Sequence, residues 1–278
     1  MANKNLTRAK SEKNDEFYTQ LADIEKELIH YKQHFYGKVV YLNCDTIESN
    51  FYKYFVDNQE ELGIKKIYRT SYSEGIDFRS DLALDFLKEA DIVVTNPPFS
   101  LFREYIAQLM EYNKKFLVVG NMNAITYKEI FPLIKNGDIW LGVNSNKTLE
   151  FKLPDSYTKW NKIENGSKYG KVPAITWYTN LEHHKRNEKL ILYKKYNAEE
   201  YPKYDNYDAI EVSKTKDIPI DYSGAMGVPI SFLTKYNPEQ FEIVGQMATT
   251  KIDEFNQGYP FVNGKKIYAR ILIKNKRL

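Results

Sequence analysis

The sequence predicts an α/β fold, in which a doubly wound, mostly parallel sheet precedes a smaller β-rich C-terminal module. Up to residue 137, apolar and β-branched runs alternate with segments of helical period, which is typical of parallel strands joined by right-handed crossovers. After about residue 183 the chain is rich in tyrosine, is interrupted by prolines and has strand-like runs without helices between them. We therefore expect two domains, at residues 1–182 and 183–278.

The alternation in the first domain follows from apolar spacing and from residues that begin or end helices. Gly37 and Gly63 stand where predicted helices end, and Ser80 or Asp81 caps the start of another. The predicted helices cover residues 23–35, 49–61, 81–90, 100–112 and 127–135. The predicted strands cover residues 38–43, 65–70, 92–94 and 115–120. In an open sheet of this kind, ligands bind at the carboxyl ends of the strands.

The remaining strands are predicted from shorter runs. Residues 139–143 and 174–179 look like strands joined by a long loop without a crossover helix, so we expect them to close the sheet as an antiparallel pair. In the C-terminal module, residues 242–244 and 267–273 are strand-like. Asn263-Gly264 lies between apolar and β-branched runs, which predicts a hairpin with a type I′ turn.

Composition limits the classes of function. The chain has 278 residues, of which 42% are hydrophobic and 28% charged, and it contains no run of about 18 apolar residues that could span a membrane. The N-terminus is polar and lacks an apolar signal core. Cys44 is the single cysteine, which excludes an intrachain disulfide. These features predict a cytoplasmic protein without a membrane partner.

Positive charge is concentrated in one stretch of the chain. Residues 145–195 hold eleven Lys or Arg against five Asp or Glu, with six Tyr or Trp interleaved. Basic side chains bind phosphates and aromatic rings stack on bases, so this composition suits a nucleic acid partner. A solvated face of a Lys- and Tyr-rich protein would have the same composition. The candidate DNA contacts are Lys159, Lys168, Lys171, Lys185 and Arg186.

The most informative motif is Asn96-Pro97-Pro98-Phe99, directly after the strand predicted at residues 92–94. The prolines end the strand because neither can donate a backbone hydrogen bond, so Asn96 lies at its carboxyl end. The Asn96 side-chain oxygen and the Pro97 carbonyl can accept the two hydrogens of an exocyclic amino group, and Phe99 offers a face for stacking. This tetrapeptide is typical of enzymes that methylate an amino or amide nitrogen. An ordinary exit from a strand into a loop is the alternative.

A methyl donor would need a second pocket at the ends of the first strands. Asp45 follows the first strand, and Asp77-Phe78 follows the second after a Gly-containing turn. The carboxylates can accept hydrogen bonds from a ribose or an adenine amino group, and Phe78 can pack on an adenine ring; each Asp could equally be a helix-cap or turn residue. His183-His184 does not predict a metal site, because adjacent residues point in different directions and no cysteine or acidic cluster stands at ligand spacing.

Several further blocks stand in order along the chain. They are Asp-Glu-Phe-Tyr-Thr-Gln at residues 15–20, Val-Val-Tyr-Leu-Asn-Cys-Asp at 39–45, Asp-Phe-Arg-Ser at 77–80, the block at 90–102 around Asn-Pro-Pro-Phe, Gly-Asn-Met-Asn-Ala at 120–124 and Trp-Tyr-Thr-Asn-Leu at 177–181. With them the chain resembles the EcoRI-type adenine-specific DNA methyltransferases over most of its length. Two features that such enzymes often carry are missing from this sequence. No Gly-rich turn follows the first strand, and no acidic residue ends the second.

The resemblance implies a class I S-adenosylmethionine-dependent methyltransferase fold. It also implies methyl transfer to N6 of an adenine flipped out of double-stranded DNA, with no metal. The donor would be held by Phe17, Tyr18, Thr19, Asn43, Asp45, Asp77, Phe78 and Asn96, and the catalytic tetrapeptide would be Asn96, Pro97, Pro98 and Phe99. Residues 183–278 would recognise the target. The enzyme would be the modification partner of a separately encoded restriction endonuclease, or a solitary methylase.

Two other functions stay open at the level of the sequence. A glutamine side chain offers an equally planar amide nitrogen, so methylation of protein glutamine, or of adenine in RNA, would use the same tetrapeptide. A relative that has lost catalysis but still binds DNA would account for the missing Gly-rich turn. The basic residues and the ordered blocks favour DNA methylation.

Overall fold

The structure is a computed structural model that describes residues 18–153 and 160–276. These residues form two compact units. The first unit takes residues 18–124 and 141–183, and the second takes 125–140 and 184–276. Residues 125–140 thus pack with the second unit, although they precede the predicted boundary at residue 183. One contact that holds them there joins the rings of Phe131 and Phe255, whose centroids are 6.4 Å apart.

The helices and strands follow the predicted order. The helices are α1 Leu21–Leu28, α2 Asn50–Asp57, α3 Asp81–Glu89, α4 Phe102–Glu111 and α5 Phe131–Asn136. The strands up to residue 183 are β1 Tyr18–Thr19, β2 Val39–Leu42, β3 Lys66–Arg69, β4 Ile92–Thr95, β5 Lys115–Asn121, β6 Trp140–Leu141, β7 Lys147–Leu153, β8 Lys162–Glu164 and β9 Ser167–Thr179. The later strands are β10 Ile210–Glu211, β11 Met226–Pro229, β12 Phe241–Met247, β13 Phe261–Val262, β14 Lys265–Lys266 and β15 Arg270–Asn275.

The sheet of the first unit has the order β1-β7-β9-β5-β4-β2-β3. Strands β3, β2, β4 and β5 are parallel to one another, whereas β9 is antiparallel to β5 and β7 is antiparallel to β9. The chain runs outward from β2 to β3 and then returns to the other side of β2 as β4, so the strand order reverses between β2 and β4. The predicted α/β fold is confirmed, and this reversal marks the crevice where a doubly wound sheet binds its ligand.

The prediction of a long loop before residue 174 is wrong, because β7, β8 and most of β9 lie in that stretch of the chain. In β7 the side chains of Leu149, Phe151 and Leu153 are buried in alternation with more exposed neighbours, as in a strand with one face on the core. The other face carries Thr148, Glu150 and Lys152, so the run as a whole did not stand out by hydrophobicity. The strand expected at residues 139–143 is reduced to β6, and Gly142 donates its N–H to the Trp177 carbonyl of β9 at 2.8 Å.

The helix predicted at residues 23–35 ends earlier, at Leu28. Ile24, Leu28, Tyr31 and Phe35 are nevertheless all fully buried, because the chain continues into a 3-10 turn that keeps the last two on the same apolar side. The helical period in the sequence thus overestimated the length of the helix.

A buried glutamate fixes α1 to the chain before β7. Glu27 is 0% exposed, and its two carboxylate oxygens accept the backbone N–H groups of Val143 and Asn144, each at 2.7 Å. The hydroxyl of Tyr31 donates to the same carboxylate at 3.0 Å. Burial raises the pKa of Glu27, and these hydrogen bonds oppose that rise. A Cβ at Gly142 would lie 2.3 Å from Oε1 of Glu27, so only glycine permits this approach.

The second unit is built on a sheet of order β10-β11-β15-β12. Its β13–β14 hairpin has Asn263 at φ 50° and Gly264 at φ 72°, which confirms the predicted type I′ turn. The strand predicted at residues 267–273 begins only at Arg270, because Ile267 instead donates its N–H to the Pro260 carbonyl at the base of the hairpin.

We expect Glu27→Ala to lower the free energy of unfolding by about 3 kcal/mol, because two partly buried backbone N–H groups and the buried Tyr31 hydroxyl lose their acceptor. Glu25→Ala removes an exposed carboxylate from the same helix and serves as the matched control, with a change of about 0.5 kcal/mol or less. Urea unfolding followed by circular dichroism measures both values. Equal effects of the two substitutions would contradict the role given to Glu27.

Candidate active site

The candidate site lies where β2 and β4 end side by side. Both strands are parallel, with Val40 opposite Ile92 and Tyr41 opposite Val93. Asn43 and Asp45 therefore follow one strand and the Asn96 tetrapeptide follows its neighbour, at the reversal of strand order. The residues predicted to bind the donor and those predicted to bind the target thus follow the ends of adjacent strands.

Asp45 joins the ends of three strands. It is 5% exposed, its Oδ2 accepts the Thr95 hydroxyl at 2.5 Å, and its backbone N–H donates to the Thr70 carbonyl at 2.9 Å. Thr95 is the last residue of β4 and Thr70 follows β3. Asp45 therefore links the end of β2 to β4 through its carboxylate and to β3 through its backbone N–H.

Asn43 carries a buried amide that is only half satisfied. Its Oδ1 accepts a hydrogen bond from the hydroxyl of Tyr105 on α4, and burial raises the pKa of that tyrosine well above its usual value, so the hydroxyl stays a donor. Asn43 is 1% exposed, and its Nδ2 has no hydrogen-bond partner among the described residues. A buried amide donor without an acceptor costs free energy, so this position fits a ligand that brings acceptor oxygens.

The tetrapeptide leaves β4 through a tight turn. Pro97 is buried and Asn96 is half-buried. The Pro98 carbonyl accepts the N–H of Leu101 at 3.0 Å, which begins the 3-10 turn Phe99–Leu101 ahead of α4. Phe99 is partly buried and packs against the core of the first unit, so its ring is held in place by that core.

The segment before α1 reaches the tetrapeptide. Asn96 Nδ2 donates to the Thr19 hydroxyl at 3.3 Å, and Asn50 Nδ2 donates to the Thr19 carbonyl at 2.8 Å. Tyr18 is paired with Lys152 through β1 and β7. Phe17 lies outside the described residues. The Thr19 side chain is therefore placed beside the tetrapeptide.

Asp77 and Phe78 lie beyond β3 and before α3, and both side chains already have partners within the protein. The Asp77 carboxylate pairs with Arg79 through two bonds, of 2.7 and 2.8 Å, and the hydrogen bonds hold its pKa below the usual value. Phe78 is buried and meets the Tyr105 ring edge to face at 5.2 Å. Both residues thus stand near α4, with the carboxylate already engaged by a cation.

In the first unit, the basic candidates lie on the β8–β9 hairpin. Lys168 lies over the ring of Trp160 at 4.7 Å, and this tryptophan is 45% exposed. Lys171 is exposed on β9. Lys162 forms ion pairs with two glutamates at 2.8 and 3.0 Å, so its charge is balanced locally. Lys159 lies outside the described residues.

In the second unit, Lys185 and Arg186 lie in a 3-10 turn, His184–Asn187. The Arg186 guanidinium stacks on Trp140, 3.4 Å from the ring centroid. Stacking on the ring orients the plane of the guanidinium.

The two adjacent histidines differ in their surroundings. His183 is buried, with Nε2 2.9 Å from the Leu141 carbonyl, whereas His184 is exposed. In the parts of the chain that the structure describes, no three His, Cys, Asp or Glu side chains come together as metal ligands. The same parts contain no helix with the length and apolar character of a membrane span.

Sequence reasoning missed Thr95 and Tyr105, which hold Asp45 and Asn43 in place. A signal existed for Tyr105, because it falls on the apolar face of α4 with Phe102, Ile106 and Leu109. A tyrosine in such a stripe buries its ring and needs a partner for its hydroxyl. For Thr95 no local signal existed, since its partner is 50 residues away along the chain.

Comparison with known proteins gives the family. The model of the family described as adenine-specific methyltransferase EcoRI matches residues 5–76 and 73–276. The type II methyltransferase M.EcoRI of Escherichia coli is 47% identical, over 99% of this chain and 98% of its own. M.MgeORF184P of Mycoplasma genitalium is 38% identical over 98% of this chain and 99% of its own, and M.MpnI of Mycoplasma pneumoniae is 37% identical over 98% of each. On its sequence and its fold, the chain belongs to the EcoRI family of adenine-specific methyltransferases.

Proposed function

We propose that this protein transfers a methyl group from S-adenosylmethionine to N6 of an adenine flipped out of double-stranded DNA. The observation that carries the proposal is the position of Asn96-Pro97-Pro98-Phe99, at the end of β4 beside the reversal of strand order. There the tetrapeptide adjoins Asn43 and Asp45, the residues best suited to hold a donor.

The tetrapeptide would act on the nucleophile. The N6 lone pair of adenine is delocalised into the ring, so the nitrogen is a poor nucleophile. Acceptance of its two hydrogens by Asn96 Oδ1 and the Pro97 carbonyl favours a pyramidal nitrogen with its lone pair directed at the methyl group. The Phe99 ring, held by the core, would stack on the target base.

Asn43 and Asp45 would hold the donor, with Asp77 and Phe78 nearer its adenine end. The unpartnered Nδ2 of Asn43 supports this assignment, because it can donate to an oxygen of the donor. When bound, the donor supplies a methyl group on a sulfonium; the sulfur keeps the electrons of the broken C–S bond, the N–C bond forms, and one N6 proton leaves to water. No metal is needed, since the sulfonium itself is the activated leaving group.

Double-stranded DNA is the substrate that the family and the basic hairpin support best. The relatives are type II methyltransferases by name, which favours a modification enzyme with a separately encoded restriction endonuclease. The single cysteine and the lack of a long apolar run in the sequence support a cytoplasmic enzyme. Residues 183–278 would recognise the target. The base must leave the helix to reach the tetrapeptide, since a stacked adenine cannot enter a strand-end crevice.

Methylation with labelled donor tests the reaction directly. The enzyme is incubated with methyl-labelled S-adenosylmethionine and plasmid DNA, structured RNA or glutamine-containing peptides, and the products are digested and analysed. We expect N6-methyladenine from DNA. Label found only in RNA or only in peptide would show that this molecule, and not DNA, is the substrate. Donor binding without any labelled product would indicate a relative that has lost catalysis.

We expect Asn96→Ala to lower turnover by about 10²- to 10³-fold, the usual cost of losing one preorganised polar partner of the transition state. Donor affinity, measured by calorimetry, should change far less, because the Asn43 and Asp45 contacts remain. Asn197→Ala alters an exposed asparagine of the second unit and is the matched control. Turnover of Asn96→Ala equal to that of the control would refute the mechanism.

We expect Lys168→Ala and Lys171→Ala each to weaken DNA binding and to reduce the slope of log affinity against log salt by about 0.9. Lys162→Ala is the control, because its ion pairs with Glu150 and Glu164 already balance its charge. Fluorescence anisotropy across a salt series measures the slopes. If all three substitutions gave the same slope as the unaltered enzyme, the hairpin would not be part of the DNA surface.

In the second unit, we expect Lys185→Ala and Arg186→Ala to have the same effect on the salt slope. Lys203→Ala is a suitable control, since Lys203 is exposed and paired with Asp208 at 3.0 Å. The same anisotropy series is used. Binding that is insensitive to both charges would remove the turn at residues 184–187 from the DNA interface.

A further inference from the structure

We propose that Thr19 is a positioning residue for methyl transfer, which sets the orientation of the Asn96 side-chain amide. This inference rests on the proposed function, because it concerns how Asn96 presents its oxygen to the target amino group. It gives Thr19 a different role from the donor contact that the family resemblance implies.

The contact itself is specific. Asn96 Nδ2 donates to the Thr19 hydroxyl at 3.3 Å, and Thr19 is 3% exposed. The two residues are 77 positions apart, so the contact depends on the fold and not on local sequence. A buried hydroxyl beside the tetrapeptide is therefore part of the surroundings that fix its geometry.

The orientation of this amide decides whether it can assist the reaction. An asparagine amide has an acceptor end and a donor end of nearly the same shape. The target nitrogen carries two hydrogens, so it needs the acceptor end. A rotation of about 180° would place the Asn96 NH₂ against the target NH₂, with donor facing donor. In the structure the Thr19 hydroxyl accepts the Asn96 N–H, and Oδ1 is directed elsewhere. Loss of this bond would free the amide to rotate.

Thr19 is itself held on rigid parts of the unit. Asn50, the first residue of α2, donates its amide to the Thr19 carbonyl at 2.8 Å. The capping Ser49 accepts the N–H of Tyr52 at 3.0 Å, which fixes the start of that helix. Thr19 also pairs with Phe151 of β7. A residue whose backbone is held from both sides can define the position of its neighbour closely.

The test compares Thr19→Val, which keeps the shape but removes the hydroxyl, with Thr19→Ser, which keeps the hydroxyl. The methyl transfer rate is measured in single turnover, because product release often limits kcat in enzymes of this kind. We expect Thr19→Val to slow the transfer about 10-fold and Thr19→Ser to stay within about 3-fold, as one hydrogen bond warrants. Donor affinity should stay nearly constant in both.

A second measurement separates positioning from any other role. In Asn96→Asp both ends of the side chain are acceptors, so its rotation no longer matters. We therefore expect Thr19→Val to have little further effect on the rate in the Asn96→Asp background, a coupling that a double-mutant cycle detects. Additive losses in the two backgrounds would overturn the inference.

Thr179→Val controls for the loss of a buried hydroxyl. Thr179 lies in the same unit, donates to the Phe116 carbonyl at 2.6 Å and accepts the Leu181 N–H at 3.0 Å. We expect this variant to lose stability without a change in transfer rate. If Thr19→Val does not fold, Asn50→Ala takes its place, since loss of the amide on the Thr19 carbonyl should slow the transfer about 3-fold.

The outcomes distinguish this inference from the proposed function. A fast Asn96→Ala enzyme would refute the proposed function. A slow Asn96→Ala enzyme with a normal Thr19→Val enzyme would overturn only the role of Thr19. A loss in Thr19→Val that appears wholly as weaker donor binding would return Thr19 to the donor site, and a Thr19→Ser enzyme as slow as Thr19→Val would also overturn positioning by the hydroxyl.

Discussion

The reversal of strand order between β2 and β4 is the constraint on which the site depends. It brings two parallel strand ends together without a helix between them, and the hydrogen bond from Thr95 to Asp45 spans the gap at 2.5 Å. One end then carries Asn43 and Asp45, which we propose to hold the donor, and the other carries the tetrapeptide. On this proposal, the distance between nucleophile and electrophile would be set by the sheet and not by flexible loops.

The polar groups of the site are arranged so that each is oriented by a neighbour that does not react. Tyr105 bonds the oxygen of Asn43, Asn50 bonds the carbonyl of Thr19, and Thr19 accepts from Asn96. Asparagine is neutral at every pH, and the raised pKa of Tyr105 keeps its hydroxyl protonated. The network therefore keeps its hydrogen-bond directions across a wide pH range, which suits a reaction that needs acceptors and not a titrating base.

The sequence predicted what depends on local signals. The β-branched run of β4, the prolines that end it and the Asn263-Gly264 turn all appear as expected. It did not predict β7, whose buried residues alternate with polar ones, or β8, whose three residues are all exposed. It also could not show that Asp77 is engaged by Arg79, or that Asn96 meets Thr19, because such contacts arise only when distant segments are folded together.

The second unit is formed from two separate parts of the chain, and this limits how chimeras of related enzymes can be made. That unit takes residues 125–140 from the middle of the chain, and its Phe131 packs on Phe255. A chimera made by a single crossover at residue 183 would combine α5 of one parent with a sheet evolved around another. Exchange of the second unit between relatives would therefore require two grafted segments, and the short internal one would have to match the larger one in shape.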